Sequence, residues 1–289
     1  MNVQHFVLTR FNLRLQSYLS RYFNGQWKGG DEEYLRRRFD FFERFCLPSM
    51  VRQKSPFRWL VFFSELTPEP FKTRARSYSE SCEGYEAVFV DDATPLDGDA
   101  MMGALDGAIA RRVEPGADYV IISRIDNDDA FNVNALGWIR DVAERAAEKE
   151  GPDRFYVVMP YGNAYIEKGG FTQDYTWDWN HFPTLVCRRG VVDNPFSRQH
   201  ARIGASGIPV HRVNERHAWL EIVNGTNAAN DLRAYCRPKY LSPRQLRDLF
   251  AIQAKTSRVR FALFWLTRYL PAKTAGFLRA AKSRRKVKR

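Results

Sequence analysis

The segment S-R-I-D-N-D-D-A at 123–130 sets three carboxylates, Asp126, Asp128 and Asp129, behind an apolar run. Asp126 and Asp128 stand two apart, so on an extended chain their side chains share a face. Hard divalent cations such as Mn2+ and Mg2+ prefer oxygen ligands, commonly one or two carboxylates completed by substrate phosphates. A departing diphosphate needs such a clamp, because negative charge builds on it as its bond to carbon breaks. Asp126 and Asp128 are therefore the expected ligands of a Mn2+ or Mg2+ ion, and Arg124 adds a positive charge beside them. One other reading stays open, in which these aspartates cap a helix that the pattern starts near Val133.

A second dense stretch is DYTWDWNHF at 174–182. Tyr175, Trp177 and Trp179 can stack on the apolar face of a sugar ring, and Asp174, Asp178 and His181 can hydrogen-bond hydroxyls. An inverting group transfer needs a general base near the accepting hydroxyl. Asp178 is the first choice, because aromatic neighbours would desolvate it and raise its pKa; Asp174 and Glu221 are the rivals. A retaining transfer needs no base there, and the loop also reads as a hydrophobic lid over the core.

These residues need a scaffold. HFVLTRF (5–11), FRWLVFFS (57–64), EAVFVDD (86–92) and DYVIISRIDNDD (118–129) read as strands. Helical segments separate them: 31–51, with Leu35, Phe39, Phe42, Phe45 and Cys46 at helical spacing; 67–78, opened by Thr67-Pro68; and 98–112, ended by Pro115-Gly116. Strands alternating with helices imply an α/β fold with a mainly parallel sheet, helices on both faces. In such sheets ligands bind at the carboxyl ends of the strands. Polar residues gather at those ends: Thr9, Arg10 and Asn12; Ser64 and Glu65; Asp91 and Asp92; Asp126 and Asp128. After Gly151 the pattern changes to strands joined by Gly-containing turns over 154–190, then a late strand or short helix over 217–227. From Ser242 onward the chain reads as helical and basic, with Pro271 as a break.

Of the 289 residues, 44% are hydrophobic and 14% aromatic, which supplies a core and excludes disorder. The net charge of +12 is unevenly placed: from Arg233 to Arg289 there are 17 Lys+Arg against the single acid Asp248. The rest of the chain holds 28 basic and 32 acidic residues, so a globally basic nucleic-acid-binding domain is excluded, and no nucleic-acid partner is expected. Cys46, Cys82, Cys187 and Cys236 are far apart and read as reduced, mostly buried thiols of a cytosolic protein. The start, MNVQHFVLTRFN, lacks a secretory signal pattern. The longest apolar stretch, VRFALFWLTRYL at 259–270, is shorter than the roughly 20 residues a membrane span needs. A cytoplasmic protein, peripheral at the inner face of a membrane, is the expectation: 243–270 packs on the body and 271–289 meets anionic lipid.

HFVLTRFN (5–12), RRFDFFERFCLPSMVRQ (37–53), FRWLVFFSELTP (57–68), SRIDNDDA (123–130) and AWLEIVNGTN (218–227) together resemble the putative rhamnosyltransferase family, nucleotide-sugar glycosyltransferases of the GT-A fold. The similarity spans about residues 5–230. It implies a GT-A-like, Rossmann-like mixed sheet in a domain over 1–232, with a nucleotide-sugar half (1–135), an acceptor half (136–232) and a basic, mainly helical extension over 233–289. It also implies a metal-assisted transfer of a sugar, rhamnose by the family's name, from a nucleotide-diphosphate sugar to a glycan or lipid-linked acceptor. By the same resemblance Thr9, Arg10 and Asn12 contact the donor nucleotide. Asp91 and Asp92 can accept hydrogen bonds from ribose hydroxyls, or simply end a strand, and Arg124 adds its positive charge on the donor side. Two positions depart from the family pattern: Ser64 followed by Glu65 where an aspartate is usual, and Asn224 where a histidine is usual. Asn224 leaves the third metal ligand open, with His217 as the substitute. The competing classes are a nucleotidyltransferase, for which 13–30 offers no convincing Gly-rich basic loop, and a catalytically silent carbohydrate-binding or membrane-associated scaffold.

Overall fold

The computed structural model describes residues 1–17, 19, 26–191, 193–224, 236–271 and 273–274. Its centre is a sheet of seven strands: β1 (Val3–Arg10), β2 (Arg58–Ser64), β3 (Tyr85–Val90), β4 (Tyr119–Arg124), β6 (Arg154–Val158), β9 (Thr184–Arg188) and β10 (Val210–Arg212). The spatial order is β10-β6-β9-β4-β1-β2-β3. Only β9 runs against the rest, pairing antiparallel with both β4 and β6. This is the mainly parallel sheet expected from the alternation of strands and helices, made mixed by β9.

Both faces of the sheet are covered, which is why its strands read as continuous apolar runs rather than alternating ones. Val7, Trp59, Val61, Phe63 and Ile121 point to one face and join the apolar stripe of α1 (Glu32–Phe41) and of α5 (Ala135–Glu150). Phe6, Leu8, Leu60, Phe62, Val120 and Ile122, offset by one residue, point to the other face and meet Leu105, Ala108 and Ile109 of α4 (Gly98–Ala110). Helix α3 (Glu69–Ser77) fills the remaining crossover.

Helix α1 starts at Asp31, whose side chain accepts the Tyr34 N–H, and passes through a wide π-turn (Phe42–Cys46) into α2 (Leu47–Val51). All five positions picked out by helical spacing, Leu35, Phe39, Phe42, Phe45 and Cys46, are fully buried. Phe41 and Phe45 face a second apolar cluster, so this rod joins the main sheet to a smaller one.

The smaller sheet has the order β5-β11-β7-β8, from β5 (Ala130–Phe131), β7 (Tyr161–Ile166), β8 (Phe171–Thr176) and β11 (Trp219–Val223). The ambiguous segment 217–227 is thus a strand as far as Val223; residues 225–227 lie outside the described residues. Behind it, α6 (Pro243–Phe250) opens with a full capping box between Ser242 and Gln245. Leu241, Leu246, Phe250 and Ile252 pack onto Phe45, Tyr165, Leu220 and Ile222.

The basic end is not one long helix broken at Pro271. Ala251 takes a left-handed conformation (φ 58°) that stops α6, an extended stretch follows, and α7 begins at Arg258 under the Ser257 cap. The chain is still helical at residue 271, and the run KSRRKVKR lies outside the described residues. All four cysteines are free thiols, three of them buried. Among the described residues no helix is long and apolar enough to cross a membrane.

Candidate active site

β4 belongs to the large sheet and β5 to the small one, so the carboxylate loop between Arg124 and Ala130 bridges the two. Each of its residues is tied down. The Ile125 N–H donates to the Leu8 carbonyl at 3.1 Å, and the Asn127 amide donates to the Phe11 carbonyl at 3.1 Å. Arg38 of α1 donates to Asn127 Oδ1 and, at 3.2 Å, to Asp128 Oδ2. Asn224 also donates to Asp128 Oδ2, at 3.3 Å. Asp129 Oδ1 accepts the Ile222 N–H of β11 at 2.8 Å, and Asp129 Oδ2 lies 3.0 Å from His181 Nε2.

None of these aspartates caps the following helix. α5 begins at Ala135 behind Asn134, which makes no side-chain cap. The three carboxylates face inward instead.

Asp126, Asp129 and His181 form the one cluster of potential metal-ligating groups found among the described residues, their ligand atoms within 4.8 Å of one another. Asp126 is half-buried, and among the described residues no donor is hydrogen-bonded to its carboxylate. Burial pushes its pKa up, but Arg124, His181, Arg10 and Arg38 together outweigh burial and hold it below the usual carboxylate range. The Asp126 carboxylate is therefore ionised and open at neutral pH. Asp129 is buried, and burial drives its pKa upward against the His181 hydrogen bond. Burial alone would lower His181, yet its bond to Asp129 and the neighbouring Asp126 and Glu221 raise it. Two carboxylates and an imidazole suit a hard to borderline divalent ion such as Mn2+. The donor set fits such a cation.

Two guanidinium groups overlook the cluster. Arg10, at the end of β1, lies 4.3 Å from the centre of the Phe196 ring, and Arg124, at the end of β4, lies 4.7 Å from it. The one ring braces both cations, and both act on Asp126. This arrangement can receive a doubly charged anion.

The sequence profile of the family described as "Putative rhamnosyl transferase" matches residues 29–235. That range covers most of the chain and contains the whole carboxylate loop. The chain belongs to this family. No curated protein matches. Among solved structures, residues 1–349 of TarS from S. aureus align at 11% identity and a TM-score of 0.40, over 77% of this chain and 60% of that one. The chain thus spans 60% of the TarS chain it matches. A nucleoside-diphosphate-sugar pyrophosphorylase from Vibrio cholerae aligns at 9% identity and a TM-score of 0.35, over 75% and 91% of the two chains. The glycosyltransferase GlyE of Streptococcus pneumoniae aligns at 12% identity and a TM-score of 0.28, over 72% and 37%. At these scores the functional reading rests on the family and on the site.

Several side chains that the sequence suggests for this rhamnosyl transferase family member are spent on the framework. Thr9 is buried and its hydroxyl accepts the Trp59 indole N–H at 2.9 Å. The Asn12 amide donates to Gly29 O (2.8 Å) and Thr67 Oγ1 (2.9 Å) and accepts the Ser64 N–H (3.2 Å), which locks the ends of β1 and β2 together. Asp92 is buried, accepting the Arg14 N–H at 2.7 Å and the Ser64 hydroxyl, whereas Asp91 is exposed and caps the Ala93 N–H. The family departure at Ser64 thus has a local reason: an aspartate there would face Asp92. Glu65 is paired with Lys72 at the surface.

His217 sits away from the carboxylate loop. Its Nδ1 is 2.6 Å from Asn163 Oδ1, and the Asn163 amide reaches Asp174 at 3.1 Å, so His217 and Asp174 share a polar group between β7 and β8. His217 also has a positive φ of 57°, with its carbonyl bound by Asn132, which turns the chain into β11. Asn224, by contrast, is at Asp128, where the family's histidine would be.

The 174–182 loop divides sharply. Tyr175 is buried edge-on against Trp219, and Trp179 packs among Tyr156, Leu185 and Ile203, its indole lying over Gly204. Asp178 is not desolvated as expected: it is ion-paired with Arg212 at 2.8 Å and its side chain is 36% exposed. Its neighbour Trp179 turns inward and does not cover it. Trp177 alone stays exposed, with its ring against His200 at 5.4 Å. His181, expected on the acceptor side, joins the carboxylates, and Glu221 is buried on β11 near enough to act on it.

Arg38, Phe196 and His200 have no sequence signal that singles them out. Asp129 was within reach as the third acid of the motif. Arg38 and Phe196 lie far off in the chain with no local signature. His200 Nδ1 is bonded to the Trp179 carbonyl, and among the described residues Nε2 has no partner. Since a ring N–H at Nδ1 donates to that carbonyl, Nε2 is the acceptor nitrogen.

Proposed function

We propose that this chain transfers a sugar, rhamnose by the family's description, from a nucleotide-diphosphate sugar to a glycan or lipid-linked acceptor, assisted by a divalent cation. The observation that carries the reading is Asp126: a carboxylate to which no donor among the described residues is hydrogen-bonded, with its ligand atom within 4.8 Å of those of Asp129 and His181. Asp126, Asp129 and His181 would hold Mn2+ or Mg2+. Such an ion neutralises charge that develops on the diphosphate.

The residues of the chain supply the rest. Arg10 and Arg124, braced by Phe196, receive the diphosphate oxygens and add fixed positive charge on the leaving-group side. Arg38 and Asn224 hold Asp128 so that the loop keeps its shape. Beside His181, Trp177 offers a face for the acceptor ring, and His200 Nε2 can accept a hydrogen bond from its hydroxyl. Asp178, Asp174 and Glu221 give way to His200 as the group nearest an incoming acceptor, because each of the three is engaged or enclosed.

The test is a thermal-shift screen with nucleoside diphosphates and nucleotide sugars, with and without Mn2+, on the parent chain and Asp126→Asn. A ligand at 100 times its dissociation constant stabilises by about 2.7 kcal/mol. A Mn2+-dependent rise with one nucleotide, absent in the variant, is the expected result. No rise with any nucleotide, or one equal in both proteins, would remove the donor-site reading.

A further inference from the structure

Helix α7 (Arg258–Phe264) runs on through a π-turn (Trp265–Tyr269) and is still helical at residue 271. One side grips the small sheet: the Phe264 ring stacks on Phe171 at 4.8 Å, Phe261 meets Tyr240, and the Arg260 guanidinium donates to the Lys168 carbonyl at 2.8 Å. The other side is exposed. Val259 is 70% exposed, Leu263 54%, Leu266 55% and Leu270 41%, at steps of four, three and four residues that form one helical stripe. With Trp265, they make up five of the nine large apolar side chains that are exposed among the described residues. An apolar surface gathered this way signals a binding face.

The charge around the stripe selects the partner. Arg258, Arg260, Arg268 and Lys273 flank it, all exposed, and no acidic residue follows Asp248 anywhere in the chain. A second copy laid face to face would set these cations against one another. Nucleic acid has no use for four aliphatic side chains. A layer with an apolar interior and negative headgroups satisfies both features at once.

We propose that this outer face of α7 and of the turns after it docks in the plane of an anionic lipid surface. Fourteen helical residues, 258–271, extend about 21 Å, too short to cross a hydrocarbon core of about 30 Å and suited to lying along its boundary. The packed side stays on Phe171 at the start of β8, whose other end leads into Trp177. The docking face is separate from the candidate active site, and neither reading requires the other.

Co-sedimentation of the full chain with vesicles tests it. Phosphatidylcholine vesicles with phosphatidylglycerol should bind the protein at least about tenfold better than phosphatidylcholine alone. Leu263→Ser/Leu266→Ser and Arg258→Gln/Arg268→Gln should each lower that binding about tenfold while keeping the thermal midpoint, since the altered side chains are exposed. The proposal fails if the parent chain stays in the supernatant with both vesicles. It fails equally if the double serine variant binds like the parent, which would assign binding to the charges after residue 274. A parent dimer that the serine variant turns into a monomer, with no lipid binding, would make the face a self-association surface.

Discussion

Asp126 and Asp129 are three residues apart and face opposite demands. Asp129 is enclosed with both oxygens engaged, by the Ile222 N–H and by His181. Asp129→Ala should therefore cost about 2–3 kcal/mol, because it strands buried donors, and urea unfolding will read this directly. Among the described residues Asp126 has no donor to strand. Asp126→Asn should stay within about 1 kcal/mol of the parent yet lose metal-dependent transfer by about a hundredfold or more. Equal stability losses in the two variants would contradict the division drawn between them. His5 makes a different prediction. Its Nε2 is 2.9 Å from the Ser123 hydroxyl inside the sheet, and burial, with Arg140 nearby, lowers its pKa to about 3. The unfolded chain takes up this proton near pH 6.5, the folded chain only near pH 3, so the native state is fully favoured above pH 6.5. Stability is lost as pH falls from there, by up to about 1.4 kcal/mol per pH unit. His5→Gln should flatten the dependence of the urea midpoint on pH between about 6.5 and 4.5.

At the scale of elements, the carboxylate loop is held by the strands on either side of it and by α1. The run of apolar residues before Asp126 was enough to reveal β4, but the strand ends at Arg124 rather than running on through the carboxylates to 129. It did not tell that the next two residues of strand, Ala130 and Phe131, would cross to a second sheet and pair with β11. That pairing depends on Trp219, which is fully buried, donates its indole N–H to Met159 O at 2.8 Å, and lies flat against Gly162. A Cβ at Gly162 would meet the indole at 2.1 Å. Gly162→Ala should cost about 1–3 kcal/mol through overpacking, measured as a fall in the denaturation midpoint. An unchanged midpoint would show that the tryptophan has room to shift. The aromatic loop shows a related limit of sequence patterns. Alternation along a strand separates Tyr175 from its neighbours, and the turn after Thr176 sends Trp179 into the core, leaving Trp177 outside. Composition identifies an aromatic loop but not which ring faces out.

Across the whole molecule the C-terminal segment divides at Ala251. Up to that point it belongs to the core: Phe250 is fully buried with Phe45, Leu220 and Ile222. Phe250→Ala should cost about 3–5 kcal/mol and leave a single unfolding transition in calorimetry; two separate transitions would mean that this segment folds apart from the body. Beyond it the chain carries the exposed stripe of α7. Much of this protein follows from sequence alone: the alternation of strands and helices, the helix over 31–51, the family, and the carboxylate loop at a strand end. These are local patterns, set by side-chain period, caps and turns within a few residues. The composition of the site was decided only by the tertiary structure. Arg38, His181, Phe196 and His200 come from four separate segments, and their convergence on Asp126 and Asp129 depends on how two sheets and a helix pack. Asn12, Thr9 and Asp92 were legible as polar residues at strand ends, but whether such a group faces a ligand or a neighbouring strand depends on the partners it finds there. Hydrogen bonding between segments distant in the chain has no period to reveal it.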